Sequence, residues 1–246
     1  MKVLLLGGTG EARALAEILA TTDEVTTSLA GRVADPRLPV GRVRIGGFGG
    51  VDGLSSALAQ FDVVVDATHP FAKTISANAV TACALRGVPL LRFERPGWAD
   101  RTRDSWHWTP SHDDAAAVAA RLGRRPFLTV GRQEIARFIP VLRDHATLAR
   151  VVQVPDGPVP PSWRVVTSRG PYALAGELEL MREHAADVLI TKDSGGDFTW
   201  PKMEAAEQLG IPVVLVARPA RTADVPTVSD IDDAVAWVRA LSTMSR

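Results

Sequence analysis

Apolar residues along the chain fall into short runs, and between most of these runs lie longer stretches whose apolar positions recur every three or four residues. A short continuous run predicts a strand buried on both faces, and the longer period predicts a helix with one buried face. In the first half the pattern predicts strands at residues 2–6, 25–28, 43–45, 63–67 and 90–93, with helices at 12–20, 51–60 and 75–86. Residues 95–110 carry Pro96, Trp98, Trp106, Trp108 and Pro110 without a clear period, and read as a connection or cap. The second half restarts, with strands at 127–130, 146–152, 164–167, 188–191 and 213–217 and helices at 134–144, 174–184, 201–209 and 231–241. Residues 155–161 read as a proline-rich surface loop.

Alternation of strands with crossover helices is the signature of an α/β fold with mostly parallel sheets. The two halves also share a local order. Asp62 to Ala67 leads through a loop and a helix to Gly87-Val88-Pro89 and a strand ending in Arg95-Pro96; Asp187 to Thr191 leads likewise to Gly210-Ile211-Pro212 and a strand ending in Arg218-Pro219. A duplicated unit explains this economically, although a helix, a Gly turn, a Pro and a strand recur in many α/β proteins. The expected architecture is two Rossmann-like halves, residues 1–110 and 111–246, with a cleft between them. Chemistry is expected in the loops at the C-terminal ends of the strands.

Within that frame the glycine-rich loops stand out. Leu4-Leu5-Leu6-Gly7-Gly8-Thr9-Gly10-Glu11 is a buried strand entering a glycine turn and then a helix. Such a turn aims free backbone N–H groups and the positive end of a helix dipole at one point, where a pyrophosphate is the expected occupant. Arg13 stands at the third glycine position of the full dinucleotide fingerprint, so a tight turn without a ligand remains the alternative. After the second strand, an NAD site usually places an acidic residue for the ribose hydroxyls. Here Thr27-Ser28-Leu29-Ala30-Gly31-Arg32 offers hydroxyls and a guanidinium, which suits the 2′-phosphate of NADPH, with a solvated Arg32 as the alternative. Gly46-Gly47-Phe48-Gly49-Gly50 follows the third strand and lets a backbone pass close to a ligand, with Phe48 as a stacking surface.

Asp66-Ala67-Thr68-His69-Pro70-Phe71-Ala72 follows the fourth strand, beside the expected nicotinamide end of a cofactor held in the first turn. Thr68 and His69 are cofactor contacts in this reading, and His69 also a hydrogen-bond or proton donor; a histidine that caps the next helix or packs under the loop is the alternative. Thr191-Lys192-Asp193-Ser194-Gly195-Gly196 is the matching loop of the second half and combines a cation, a hydroxyl and glycines as an anion cradle would. Arg169-Gly170-Pro171-Tyr172 is a third polar loop on the same edge.

Charge and composition narrow the partners. Lys plus Arg equals Asp plus Glu at 28 each, so no general basic field recommends nucleic acid or an anionic membrane, and a small or medium-sized ligand is expected. Cys83 is the only cysteine, which excludes an intrachain disulfide and a thiolate zinc site; the five histidines lack metal-ligand spacing, and no metal is expected. No segment has the length or flanks of a membrane span or signal peptide, and the expected compartment is the cytoplasm. Tyr172 has Gly176 four residues later, so the Tyr-x-x-x-Lys pair of short-chain dehydrogenases is absent, as are a P-loop and a Gly-x-Ser-x-Gly elbow. Nothing in the sequence sets the oligomeric state.

Taken together and in this order, Gly7-Gly8-Thr9 with Glu11, the glycine run around Phe48, Asp66 to Ala72, Arg95-Pro96 with Trp98, and the Lys192 loop resemble the precorrin-6A reductase family of cobalamin biosynthesis. The resemblance spans nearly the whole chain. It implies NADPH-dependent reduction of one double bond of the precorrin-6A macrocycle, giving precorrin-6B. Gly7, Gly8, Thr9, Glu11, Ser28, Arg32, Gly46, Gly47, Phe48, Gly49, Thr68 and His69 would then face the cofactor. Arg169, Lys192, Ser194 and Gly195 would hold acetate and propionate carboxylates of the substrate, and His69, Tyr172 and Lys192 are the candidate proton donors. Asp193 stands where the family usually has Asn. A nucleotide-sugar transferase with two Rossmann-like domains and a non-catalytic NADP sensor are the rival readings.

Overall fold

A computed structural model describes residues 1–31, 37–220 and 224–244. The chain divides into two units, Met1–Pro96 with Pro219–Arg246, and Gly97–Arg218.

The first unit opens with β1 (Lys2–Leu6), α1 (Gly10–Leu19), β2 (Glu24–Leu29), β3 (Arg42–Ile45), α2 (Val51–Ala57), β4 (Val63–Asp66), α3 (Lys73–Arg86) and β5 (Leu90–Phe93). The second holds β6 (Trp106–Thr109), α4 (His112–Leu122), β7 (Pro126–Leu128), α5 (Ile139–Leu142), β8 (Leu148–Val151), β9 (Arg164–Thr167), α6 (Leu174–His184), β10 (Val188–Lys192), α7 (Pro201–Gln208) and β11 (Val213–Val216). The chain then returns to the first unit for β12 (Thr227–Val228) and α8 (Ile231–Met244).

Among the described residues each unit has one six-stranded sheet, with every pairing parallel. The order is β3-β2-β1-β4-β5-β12 in one and β9-β8-β7-β10-β11-β6 in the other. Both are the doubly wound order, in which the direction of winding reverses at the central pair, and the loops leaving that pair diverge to open a crevice. The duplication expected from local sequence is therefore a duplication of topology, with switch points at β1/β4 and β7/β10.

The apolar runs are strands because both faces of each sheet are covered. In the first unit Val3, Leu5 and Val25 pack under Ala12, Leu15, Ala16 and Leu19 of α1 and Ala234, Val235 and Val238 of α8. Leu4, Leu6 and Val64 pack on the opposite face with Leu54 of α2 and Ala79, Ala82 and Cys83 of α3. Trp98, Trp106, Phe127, Leu189 and Leu215 share the core of the second unit with Met181 and Met203.

The division differs from the expected 1–110 and 111–246 at both ends. Residues 106–109 form a strand of the second sheet, and residues 227–244 belong to the first. The reason is edge pairing: β12 pairs with β5 and β6 with β11, so each satisfies the outward backbone groups of its neighbour and becomes the edge strand itself. Two helices also differ. The helix α4 was not expected, although Ser111 caps it by accepting from the Asp114 N–H at 3.1 Å. The helix expected at 134–144 is a 3-10 turn, Ile135–Phe138, followed by the single turn α5, where Pro140 has no N–H to continue a longer ladder.

Candidate functional site

In the first unit the switch point gathers the glycine turn after β1 and the Asp66 loop after β4. Gly7 donates its N–H to the Ser28 carbonyl at 3.0 Å, holding the turn against the end of β2. Gly8 then adopts φ +119°, which a side chain disfavours, and a Cβ there would project into open space. Thr9 is the N-cap of α1: its hydroxyl accepts from the Ala12 N–H at 3.0 Å and donates to the Ala67 carbonyl at 3.0 Å. The cap thus ties the two switch-point loops together, and the backbone donors of the first helical turn are left to face a ligand. Thr9→Ala should lower stability by about 1–2 kcal/mol through loss of the cap. A reduced urea midpoint with an unchanged slope would register this, and an unchanged midpoint would refute it.

Glu11 does not point into the turn unpaired. Its carboxylate meets the Arg95 guanidinium at 2.7 Å, which explains why both belong to one pattern of residues far apart in sequence. At the end of β4, Asp66 is buried and accepts from the Thr68 hydroxyl at 2.7 Å and the Thr68 N–H at 3.2 Å, while Arg92 lies 3.8 Å away. This fixes the bend that carries His69. The His69 Nδ1 accepts from the Phe71 N–H at 3.2 Å, so the neutral ring carries its hydrogen on Nε2.

Ser28 is buried at the end of β2, and Arg32 falls outside the described residues. In the following loop, Cβ atoms built on Gly46, Gly47 and Gly49 would meet no atom within 4 Å, so this backbone borders open space. The Arg44 guanidinium lies over the Phe48 ring, 3.9 Å from its centroid, so one face of the expected stacking surface is occupied by a cation. Arg44 also donates to the carbonyls of Gly46 at 2.6 Å and Gly47 at 2.8 Å. Sequence reasoning missed it, although a cation two positions before a glycine run was a visible signal.

These features fit a dinucleotide. A helix N-terminus and an open Gly8 suit a pyrophosphate, hydroxyls near the end of β2 suit a ribose, and the glycine-lined third loop leaves room beside it.

In the second unit the corresponding switch point joins the loop after β7 to the Lys192 loop after β10. The Lys192 ammonium lies 4.0 Å from where a Cβ on Gly131 would stand. Burial pushes the Lys192 pKa down, opposed by the Glu134 carboxylate. Glu134 Oε2 lies 3.8 Å from His112 Nδ1, and burial lowers the His112 pKa, with Glu134 opposing and Lys192 adding to the shift. Gly131 and Glu134 were not singled out from sequence, yet Gly131 follows β7 much as Gly7 follows β1.

Ser194 is buried and its N–H donates to the Lys192 carbonyl at 2.6 Å; Gly195 and Gly196 follow with φ +64° and +67°. The intervening Asp193 turns inward. Its carboxylate accepts from the Trp98 N–H at 3.0 Å and pairs with Arg218 Nε at 3.3 Å, and a Cβ on Gly97 would stand 2.6 Å from Oδ2. The Asp therefore serves the interior of its unit, and an Asn there would keep the acceptor while losing the charge pair.

Tyr172 donates its hydroxyl to the Ser168 carbonyl at 3.1 Å, and burial raises its pKa. The Arg150 guanidinium lies 3.9 Å from its ring centroid and is itself paired with the buried Glu177. Arg169 is exposed on the same loop. The described residues hold no cluster of three or more His, Cys, Asp or Glu suited to a metal ion, and no helix long and apolar enough to cross a membrane.

The profile of the precorrin-6x reductase CbiJ/CobK family matches residues 2–239. The chain is 49% identical over 245 residues to the precorrin-6A reductase of Rhodococcus erythropolis, covering 98% of each chain. It is 48% identical over 244 residues to that of Mycobacterium tuberculosis, again covering 98% of each. A solved structure of CobK precorrin-6A reductase superimposes with a TM-score of 0.91 at 38% identity, covering 98% of this chain and 97% of that one. With both switch-point loops inside a match that runs almost from end to end, the chain belongs to the precorrin-6x reductase family.

Proposed function

We propose that this protein reduces one double bond of precorrin-6A to give precorrin-6B in cobalamin biosynthesis, with NADPH as reductant. The observation that carries the reading is the full-length similarity to proteins named precorrin-6A reductase, which favours it over a nucleotide-sugar transferase or a sensor. Higher identity to relatives named precorrin-6A reductase than to those named cobalt-precorrin-6A reductase favours the metal-free macrocycle as substrate.

When bound, NADPH supplies a hydride. The chain's own groups bind, orient and protonate. The first-turn N–H groups after Gly7, Gly8 and Thr9 hold the pyrophosphate, and Ser28 with Arg32 and the loop Gly46, Gly47, Phe48 and Gly49 receives the adenosine end. Glu11, fixed by Arg95, shapes the turn, and Thr68 and His69 border the nicotinamide. Lys192, Ser194 and Gly195, with the exposed Arg169, bind carboxylates of the macrocycle.

One proton must accompany the hydride. His69 borders the nicotinamide in this reading and is the best placed of the three candidates; it would donate from Nε2 as the imidazolium, a form in which Nδ1 carries a hydrogen and the Phe71 N–H contact is released. The Tyr172 hydrogen is committed to the Ser168 carbonyl, and Lys192 serves as an anchor. The test is to add precorrin-6A to the purified protein with NADPH, expecting oxidation of NADPH that depends on the macrocycle and a product gaining one hydride and one proton. No NADPH oxidation above the control without substrate would overturn the reading.

A further inference from the structure

We infer that Arg44 determines cofactor choice by binding the 2′-phosphate of the adenosine. The inference rests on the NADPH reading above and adds to it the side chain that distinguishes NADPH from NADH.

Three observations carry it. The guanidinium is held in place before any ligand arrives: both terminal nitrogens donate to loop carbonyls, at 2.6 Å to Gly46 and 2.8 Å to Gly47, and the plane lies on the Phe48 ring. Two of its five N–H groups serve those carbonyls, which leaves donors for an anion, and a guanidinium fork matches a phosphate. Among the described residues no carboxylate pairs with it, although Glu11, Asp66 and Asp193 each face an arginine in their own unit. A positive charge fixed without a carboxylate partner among the described residues, bordering open space, is a prepared anion site.

Register supplies the location. Arg44 is the direct parallel partner of Ser28, and the Ser28 carbonyl receives the Gly7 N–H at the start of the phosphate turn. Strands lie about 4.8 Å apart. Moving outward along the sheet edge therefore passes from the pyrophosphate turn above β1 to the ribose at the end of β2, and then to Arg44 on β3. A ribose held at the end of β2 with its 2′-oxygen turned toward β3 would bring a 2′-phosphate to Arg44.

The experiment compares the binding of adenosine 2′,5′-bisphosphate and adenosine 5′-monophosphate by calorimetry, for the parent protein and for Arg44→Ala and Arg44→Lys, with thermal unfolding as the folding check. The parent should prefer the bisphosphate. Arg44→Ala should bind the bisphosphate about 10- to 100-fold more weakly, as expected for one charge-assisted contact, with the monophosphate little changed. Arg44→Lys, which keeps the charge but loses the fork, should retain part of the preference. Equal losses for both nucleotides in the folded variants would overturn the inference, because Arg44 would then only shape the loop. Full preference retained in Arg44→Ala would overturn it too, leaving the NADPH reading intact. A parent protein with no preference would overturn both.

Discussion

Gly8→Val should bind NADPH roughly a hundredfold more weakly or worse while still unfolding in a single cooperative transition. Gly8 has φ +119°, outside the range a β-branched residue tolerates, so the backbone must rotate to accept valine. That rotation turns the N–H groups of the turn away from the pyrophosphate, and the loss of one or two charge-assisted contacts accounts for the size of the effect. The new side chain meets no packed atom, since nothing lies within 4 Å of a Cβ at this position. The stability loss should thus stay near the cost of local backbone strain, about 1–3 kcal/mol, well inside the margin of a folded domain. Gly8→Ala should show the same loss in milder form. Calorimetry with NADPH and a denaturant melt separate the two effects. Wild-type affinity in a folded Gly8→Val protein would show that the turn is structural and holds no phosphate.

The second expected result sets function against stability at Lys192. Lys192→Ala should raise KM for the macrocycle about tenfold or more and leave kcat nearly intact, as for a group that holds the substrate equally in ground and transition states. NADPH affinity should not change. A fall in kcat at constant KM would instead place Lys192 in the reaction itself, and loss of NADPH binding would put the cofactor on the wrong unit. Lys192→Met, which keeps the length without the charge, should melt at a higher temperature than the parent at pH 7. The sign follows from burial, which lowers the folded-state pKa of Lys192 below its unfolded value. Below the folded pKa the native state carries the penalty of a desolvated ammonium, less what Glu134 returns. As pH rises from there toward the ordinary lysine value, the unfolded chain holds more protons than the folded one, so parent stability rises and the advantage of Met shrinks. A Lys192→Met protein less stable than the parent at pH 7 would mean that the ammonium is held by contacts worth more than its desolvation.

The α/β class, the glycine turn, the Asp66 loop and the Lys192 loop are all legible in the sequence because each is a local signal. Continuous apolar runs specify buried parallel strands, spacing of three and four specifies a buried helix face, and Gly8 marks a backbone angle that other residues avoid. The parallel between residues 62–96 and 187–219 likewise survives in the common strand order of the two sheets. What local pattern cannot carry is the choice of distant partner. The two-residue strand Thr227–Val228 has too little sequence to announce itself, and it exists because β5 offers an open edge. Asp193 and Ser194 read alike as polar loop residues, yet packing sends the carboxylate inward to Trp98 and Arg218. Arg44 and Lys192 acquire their chemistry in the same way. One is held by a ring and two carbonyls across a turn, the other is half-buried near Gly131 and Glu134, more than fifty residues earlier in the chain. The sequence by itself determined most of the strands and helices and where the glycine turn lies, since short-range sterics and hydrophobic period suffice for both. Only the tertiary structure decided which strand closes each sheet and which charges are paired or held apart, because those outcomes depend on edges, burial and neighbours that the chain meets only once folded.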